Sequence, residues 1–287
     1  MAPREPRRAG KNASTTRKTQ AQARKQTQAQ LADKLVYYER AVQDPEVDAQ
    51  FIARTFRRLR GRPARALRED FCGTASLCAQ WVRQDTRNRA YGIDLDRHTL
   101  EWGIQTHIAP LAERAAGITL IQQDVREPVA FKADAVAAFN FSYFVFRTRT
   151  ELRDYFASIK RGLKKDGILY LDLYGGPETM EEREEKTVYD KFTYVWDQAA
   201  FNPITHEVTN YIHFEFPDRS VMHKAFTYHW RLWQIPEVQE IAMEAGFRDC
   251  LVYWECTDRA SGEGNGVFRI SRKGDNAPAF VCYLLCV

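Results

Sequence analysis

Short strand-like runs alternate with helical stretches between residues 64 and 174, and this alternation constrains the fold more than any other feature of the 287-residue chain. The five strand-like runs span residues 64–70, 90–94, 118–123, 135–141 and 168–174. One intervening stretch begins with the capping box Thr148–Glu151 and ends at Gly167, as helices commonly do. Strict alternation of strand and helix predicts parallel βαβ units in a doubly wound sheet.

The segments on either side complete the predicted architecture. Apolar residues at helical spacing predict two helices within residues 31–61. After Tyr174 the apolar period becomes two, which predicts three antiparallel strands inside residues 185–233. A helix near residue 241 and a closing hairpin at 247–254 and 279–285 follow. The expected fold is α/β: a doubly wound, seven-stranded, mostly parallel sheet within residues 31–287, with a three-stranded antiparallel insertion after strand 5.

The first 30 residues differ from the rest in composition and charge. They contain no Val, Ile, Leu, Phe, Tyr or Trp, and eight Lys and Arg stand against Glu5, a charge of +7 that leaves −3 of the total +4 for residues 31–287. Such a segment cannot bury an apolar face and is predicted to be a disordered tail. A transit peptide would need an apolar face. A nucleic-acid-binding arm and a solvated extension both remain open.

The cysteines and the hydropathy pattern exclude several protein classes. The six cysteines form no C-x-x-C pair and no paired Cys/His spacing, so neither a disulfide scaffold nor a metal site is expected. A reducing, cytoplasmic location is the expectation that follows. No run of 18 apolar residues is present, so no membrane-spanning helix and no membrane partner are predicted.

The carboxyl ends of the first two predicted strands carry the features of a nucleoside site. Asp94 follows Gly73 by 21 residues, the spacing at which an acid grips a ribose diol in this architecture. The turn Glu69–Ala75 (EDFCGTA) lacks the G-x-G-x-x-G that a dinucleotide pyrophosphate requires. S-adenosylmethionine has a ribose without phosphates, and its sulfonium suits the acids Glu69 and Asp70. It is the expected cofactor.

Four segments together resemble the class I S-adenosylmethionine-dependent methyltransferases. Glu69–Ala75 is similar to their D-x-G-C-G-T-G turn, and Gly92–Asp94 to their second motif. Gln123–Val125 resembles the end of their third strand, and Leu163–Leu169 the entry to their fifth. The resemblance covers roughly residues 64–174. The turn departs from the family pattern at Phe71 and Ala75, which replace two glycines, and at Glu69, which replaces the usual aspartate.

The resemblance implies a set of cofactor-binding residues. It places Gly73 and Thr74 at the methionine end and Asp94 at the ribose. It places Asp124 at the adenine amino group, with Leu95 and Val125 against the ring. Its wider set adds four residues: Glu69, Phe71, Cys72 and Asn140. Alternatives stay open, because Glu69 could cap amides of the turn, Asp124 could cap its own loop, and Asp70 could be either the functional acid or a solvated neighbour.

Three residues are the candidates for catalytic positions. Asn140 and Tyr143 lie in a degenerate form of the (D/N)-P-P-Y motif with which amino-group methyltransferases position a nitrogen, although a polar strand end followed by a core aromatic fits equally well. His229 is the histidine chosen as the candidate general base, against the alternative of a surface or hydrogen-bonded residue.

The predicted insertion is rich in aromatic residues, which either pack its core face or form a lid over a planar or cationic substrate. The expected function is transfer of a methyl group to nitrogen or oxygen of a small-molecule acceptor. The alternative is a nucleic-acid or protein methyltransferase that holds its partner, through weak nucleic-acid contact, with residues 1–30. A non-catalytic binding protein is the third class.

Overall fold

The computed structural model describes residues 26–258 and 264–287, so most of the predicted tail lies outside the described residues. The α-helices are α1 (Gln28–Leu31), α2 (Lys34–Val42), α3 (Pro45–Arg60), α4 (Ser76–Gln84), α5 (Arg97–Gly103), α6 (Arg149–Gly162) and α7 (Ile235–Glu244). The strands are β1 (Ala66–Asp70), β2 (Arg89–Asp94), β3 (Ile118–Gln122), β4 (Ala133–Ala138), β5 (Leu163–Gly175), β6 (Arg183–Val188), β7 (Thr193–Asn202), β8 (Glu207–Glu215), β9 (Val221–Arg231), β10 (Cys250–Thr257), β11 (Gly264–Ile270) and β12 (Phe280–Cys286).

The main sheet has the order β11-β10-β12-β5-β4-β1-β2-β3. Strands β1 to β5 are mutually parallel, and β12 pairs antiparallel with β5. The doubly wound parallel sheet that the alternation predicts is therefore present. Its β4 strand is buried at all six positions, as a central strand covered on both faces must be.

The prediction of seven strands is wrong, because the sheet has eight. The additional strand β11 pairs antiparallel with β10 inside a stretch expected to be a loop, with Tyr253 opposite Ile270. Only Val267–Ile270 has a strand-like sequence there, and glycines and polar residues surround it. Most of β11 is exposed, so it lacks the buried alternating face by which the other strands are recognised.

The insertion is a second, four-stranded antiparallel sheet with the order β6-β7-β8-β9, not the three strands predicted. The stretch 188–196, expected as one strand, contains a tight turn in which the Tyr189 N–H donates to the Phe192 carbonyl at 2.8 Å. Apolar alternation continues across this turn, so period alone could not reveal it. The structured region also begins earlier than predicted, since a Thr27–Gln30 capping box starts α1 at Gln28 instead of at residue 31.

The amino-terminal helices α1 and α2 pack against this second sheet. Tyr37 of α2 inserts among Phe192, Phe214 and Phe216, with ring centroids 4.9, 5.7 and 5.2 Å away. The backbone N–H of Gln28 donates to Asp218 at 2.8 Å. We call α1, α2 and strands β6 to β9 together the cover, because they lie over the carboxyl ends of the main-sheet strands.

Two further findings concern the cysteines and the membrane. Cys250 and Cys286 lie opposite each other on β10 and β12 and form a disulfide. The spacing of cysteines along the sequence does not reveal this pair, because the two residues are 36 positions apart. Among the helices of the described residues, none combines the length and the hydrophobicity that crossing a bilayer requires.

Candidate functional site

The turn that follows β1 keeps a glycine-type backbone although it has lost two glycines. Phe71, Gly73 and Ala75 have φ angles of 57°, 51° and 58°, all in the left-handed region. The Cys72 N–H donates to the Ile93 carbonyl at 3.0 Å, and the Ala75 N–H to the Cys72 carbonyl at 2.8 Å. Left-handed backbone is disfavoured for residues with a Cβ, so the surrounding hydrogen bonds enforce the shape of this turn.

Asp94 joins this turn to the end of β2. Its Oδ2 accepts from the Gly73 N–H at 2.8 Å, and its Oδ1 accepts from the Asp96 N–H at 2.9 Å. The side chain is half-buried, and each oxygen keeps a second lone pair for another donor. The carboxylate is thereby fixed in orientation at the strand end where a diol is expected.

Several predicted cofactor residues line one cavity of about 290 Å³. They are Phe71, Asp94, Leu95, Asp124 and Val125. Sequence reasoning missed four further residues that line it, Arg126, Val145, Phe146 and Glu151. Arg126 immediately follows the Asp124–Val125 pair, so its position along the chain was a signal that could have found it.

Asp124 forms an ion pair within this cavity wall. Its Oδ2 lies 2.6 Å from Arg126 Nη2, and its Oδ1 accepts from the Arg126 N–H at 2.9 Å. The Arg126 guanidinium holds the pKa of Asp124 below its ordinary value. The alternative that Asp124 caps its own loop is therefore observed, and its side chain also lines the cavity.

The two acids at the end of β1 have different roles. Asp70 is fully buried and paired with Arg68, with Nε to Oδ1 at 2.6 Å, and it accepts from the Tyr155 hydroxyl at 2.9 Å. Glu69 accepts from the Cys78 N–H at 3.0 Å and so caps α4, whose N-cap residue Ala75 has no side-chain oxygen. Burial raises the pKa of Glu69 to about 8.

These contacts decide the two alternatives. Asp70 is a structural ion-pair partner, neither a functional acid nor a solvated neighbour. Glu69 performs the capping role and also borders a small crevice with Gln43, Asp48 and Asn140.

Thr74 lies beneath the cover, and Cys72 lies in the core. The Thr74 hydroxyl, 2 % exposed, donates to Glu39 of α2 at 2.5 Å, and the same carboxylate oxygen lies 2.6 Å from His107 Nε2. Cys72, a predicted cofactor-binding residue, is buried against Gly92 and lines neither cavity. Helix α2 is therefore fastened directly onto the turn.

A larger cavity of about 600 Å³ lies between the cover and the carboxyl ends of β4 and β5. The cover contributes five aromatic side chains, Tyr38, Tyr194, Trp196, Tyr228 and Trp230. Six carboxylates also line it, Asp44, Asp48, Asp172, Glu178, Glu185 and Glu255. No Lys, Arg or His of the described residues is among its lining side chains.

The insertion aromatics divide between the wall of the large cavity and the core of the cover. Tyr194, Trp196, Tyr228 and Trp230 face the large cavity. Others pack the interior of the cover, including Phe192, Phe214, Phe216 and Phe226. A period-two pattern does not show which face of a sheet borders a cavity, so sequence alone could not divide them.

Asn140 lines the large cavity, as the prediction for a substrate contact requires. Asn140 and Phe141 adopt left-handed φ angles of 56° and 57°, and their N–H groups donate to Asp172 at 2.7 and 2.9 Å. The buried Asp172 carboxylate on β5 thus sets the shape of this turn.

The predicted catalytic roles of Tyr143 and His229 are not supported. Tyr143 is fully buried and packs in the core against Phe144 and Phe156, away from the cavity. His229 is exposed on the outer face of β9, because strand alternation turns Tyr228 and Trp230 inward and His229 outward. Its Nδ1 lies 3.3 Å from the Thr209 hydroxyl.

Two carboxylates that the sequence analysis did not select are the perturbed acids of this cavity. Burial raises the pKa of Asp48, on α3, to about 7, and the neighbouring charge of Asp44 adds to the effect. Burial likewise raises the pKa of Asp172 to about 7, against its two backbone hydrogen bonds. Asp172 sits in the apolar run of β5, where an acid is a recognisable signal. Asp48 has no such signal, because its helix reads as an ordinary amphipathic one.

Comparisons with known proteins agree with this geometry. Residues 70–171 match the family described as “Methyltransferase domain”. A “Putative methyltransferase” of Geobacillus sp. (strain WCH70) is 22% identical over 253 residues, covering 83% of this chain and 97% of that protein.

Two solved structures share the fold. An S-adenosylmethionine-dependent methyltransferase from Clostridium acetobutylicum ATCC 824 superposes with a TM-score of 0.62 at 16% identity, over 88% of this chain and 95% of that one. The sugar N-methyltransferase KedS8 from Streptoalloteichus sp. ATCC 53650 gives a TM-score of 0.60 at 18% identity, over 97% and 99% of the two chains.

Proposed function

We propose that the chain is a class I S-adenosylmethionine-dependent methyltransferase that methylates an amine nitrogen of a small molecule bound in the 600 Å³ cavity. One observation carries the choice of nitrogen. The cavity combines aromatic rings with carboxylates and has no basic side chain among its described lining residues. Such a lining attracts organic cations and repels anions, and an aliphatic amine is a cation at neutral pH.

The residues around the smaller cavity fit S-adenosylmethionine. The fixed carboxylate of Asp94 suits the ribose diol, and Leu95 and Val125 offer apolar faces to the adenine. Phe71 lines the same cavity, so its ring forms part of the cavity wall where a glycine would have no side chain. The turn keeps a left-handed, glycine-type backbone despite the substitutions, which weighs against a non-catalytic binding protein.

The bound cofactor supplies an electrophilic methyl group on a sulfonium. The protein must then bring a nitrogen lone pair into line with that group and exclude water. Asn140, on the turn shaped by Asp172, lies where the crevice beside Glu69 meets the large cavity. The aromatic side chains of the cover hold the body of the acceptor. In this assignment positioning supplies most of the rate enhancement, and a general base has only to keep the amine neutral.

Similarity to known proteins is compatible with this choice without deciding it. KedS8 is named as a sugar N-methyltransferase, but at 18% identity it shares with this chain the fold alone. The cavity lining is therefore the support for an amine acceptor. The basic amino-terminal segment favours a nucleic-acid or protein acceptor instead, yet the carboxylates at the cavity would oppose a polyanion.

The test pairs amines with the matching alcohols. Purified full-length protein is first titrated with S-adenosylmethionine by calorimetry, with NAD as the control ligand and Asp94→Ala as the control variant. Methyl transfer is then measured by mass spectrometry to benzylamine, 2-phenylethylamine and glucosamine, each beside benzyl alcohol, 2-phenylethanol and glucose.

We expect micromolar binding of S-adenosylmethionine that Asp94→Ala weakens at least tenfold, and transfer to amines alone. Absence of cofactor binding by the folded protein, or transfer to the alcohols instead of the amines, would refute the proposal.

A further inference from the structure

Asp48 is a half-buried carboxylate of the large cavity for which the described residues supply neither a cationic partner nor a backbone N–H. Asp172 accepts from two backbone N–H groups, and Glu178 and Glu185 pair with Arg183 at 2.8 and 3.0 Å. Asp44 accepts from the Val47 N–H at 3.2 Å as the cap of α3, and Glu255 accepts from the Gly266 N–H at 2.7 Å. The neighbour of Asp48 is the Tyr283 hydroxyl, 3.4 Å away.

The position of Asp48 suits a group that meets the acceptor nitrogen. It borders both the 600 Å³ cavity and the crevice that contains Glu69 and Asn140. It therefore lies between the large cavity, where the acceptor is proposed to bind, and the turn Glu69–Ala75, which we call the cofactor turn. A carboxylate with open lone pairs at that position attracts an ammonium group, the form in which an aliphatic amine arrives at neutral pH.

We propose that Asp48 binds the ammonium group of the acceptor and takes the proton that the nitrogen must lose before methyl transfer. This inference rests on the proposed function.

In the first step an N–H bond breaks, its electron pair stays on nitrogen and the proton moves to a carboxylate oxygen of Asp48. In the second step that electron pair forms the N–C bond to the methyl group. The C–S bond of S-adenosylmethionine breaks with its electrons retained by sulfur. The methylated ammonium and S-adenosylhomocysteine leave, and Asp48 releases its proton to water.

The surroundings of Asp48 support a proton acceptor that works near neutral pH. Four ionisable groups face it from other elements or from its own helix: Asp44 on α3, Tyr283 on β12, Asp172 on β5 and Glu69 on β1. The ionised carboxylates of Asp44 and Asp172 favour the protonated form of Asp48, and no basic side chain of the described lining residues offsets them. Burial and the charge of Asp44 raise the pKa of Asp48 to about 7, against the hydrogen bond from Tyr283, so Asp48 exists in both forms at neutral pH.

The test uses whichever amine of the panel above is methylated, and it follows kcat/KM from pH 6 to 10. For the wild type we expect the rate to rise up to about pH 7 and then to level. For Asp48→Asn we expect a loss of about 100-fold at pH 7. The defect should shrink by about tenfold for each pH unit above 7, because the fraction of amine already neutral in solution rises tenfold per unit below its own pKa. Asp48→Glu should recover part of the activity, and the exposed Glu46→Gln on the same helix should behave as wild type.

The outcomes separate the two proposals. If S-adenosylmethionine does not bind, or if only alcohols are methylated, the proposed function itself fails. If amines are methylated but Asp48→Asn keeps the wild-type rate, or loses activity equally at every pH, the role of Asp48 is refuted. A tenfold weaker affinity of Asp48→Asn for S-adenosylmethionine would instead assign Asp48 to the ammonium of the cofactor, and would also refute the inference.

Discussion

Two side chains occupy glycine-type backbone at the turn after β1, and their conformations carry an energetic cost. Left-handed φ costs an ordinary residue about 1–2 kcal/mol relative to glycine. Phe71 recovers part of this cost because its ring packs against Phe146 and Tyr155, with both centroid distances at 6.0 Å. Ala75 has only a methyl group to bury, so the strain at that position is less compensated.

This difference predicts an unusual result for Ala75→Gly. Replacing a buried alanine by glycine ordinarily destabilises, but here relief of left-handed strain offsets the lost methyl group, worth about 0.8 kcal/mol. We expect a stability between unchanged and about 1 kcal/mol higher, measured by urea unfolding. Ala79→Gly, which is equally buried but inside α4, is the matched control and should lose at least about 1 kcal/mol. Equal losses in the two variants would contradict the claim of strain.

Glu69 predicts a pH dependence of stability whose sign follows from its burial. The pKa of its carboxyl is about 8 in the folded protein, above the ordinary 4.5 of an unfolded chain. Between these values unfolding releases a proton, so the free energy of unfolding falls as the pH rises from about 5 to about 8. Glu69→Gln should reduce the steepness of this fall by at most about 1.4 kcal/mol per pH unit, the value for one proton. Part of the pH dependence should remain, because Asp48 and Asp172 contribute in the same window.

The measurement is urea unfolding at several pH values. The exposed Glu240→Gln serves as the control and should keep the wild-type slope. A Glu69→Gln slope that equals that of the wild type would show that Glu69 is ionised in the folded protein.

At the scale of elements, α2 is one of the connections between the cover and the rest of the molecule. This helix contacts the cofactor turn through Glu39 and Thr74, and it contacts the second sheet through Tyr37. Another contact joins Trp102 Nε1 of α5 to Asp33 at 2.6 Å. Movement of α2 therefore changes the cofactor turn and the acceptor cavity together.

Tyr37→Ala tests this coupling. Loss of the ring from its aromatic cluster should cost about 3 kcal/mol locally. We expect faster hydrogen exchange in residues 28–42 and in β7 to β9, and weaker binding of S-adenosylmethionine. The control Tyr91→Ala removes a ring that stacks on Phe131 in the main sheet, at 3.8 Å between centroids. Faster exchange of the cover in the control, or none in Tyr37→Ala, would contradict the coupling.

The elements also show what the sequence could and could not predict. Strands β1 to β5 were predictable because strand-like runs alternate there with stretches of helical spacing. Asp94, Leu95, Asp124 and Val125 share one cavity, as the order of strand ends implied. Neither Tyr143 nor His229 lines the large cavity, and their positions in the sequence do not reveal which side chains turn toward it. Asp48 was missed because its significance depends on α3 lying beside a cavity that chain segments distant in sequence enclose.

At the scale of the whole molecule, charge is divided unequally along the chain. Residues 1–25 contain eight Lys and Arg and one acid, Glu5, which is a net charge of +7. The net charge of the other 262 residues is therefore −3. The carboxylates around the large cavity belong to that acidic part. The basic segment attracts anionic partners, whereas the carboxylate-lined cavity attracts cationic ones.

Removal of residues 1–25 should separate these partners. It leaves α1 intact, because the helix begins at Gln28. We expect unchanged methyl transfer to the amine acceptor and loss of salt-dependent retention on a heparin column. If the truncated protein loses both methyl transfer and retention on heparin, the nucleic-acid or protein acceptor is favoured instead.

The contact between α1 and the β8–β9 turn also sets an order of events during synthesis. The N–H of Gln28 meets Asp218, and that of Ala29 meets Ser220, across separations of 190 and 191 residues. At about 5–20 residues per second, a ribosome needs about 10–40 s to make the second half of this contact after the first. The main parallel strands, complete at Gly175, can already have assembled by then. The cover therefore cannot close until translation has passed Ser220, and strands β10 to β12 of the main sheet are added later still.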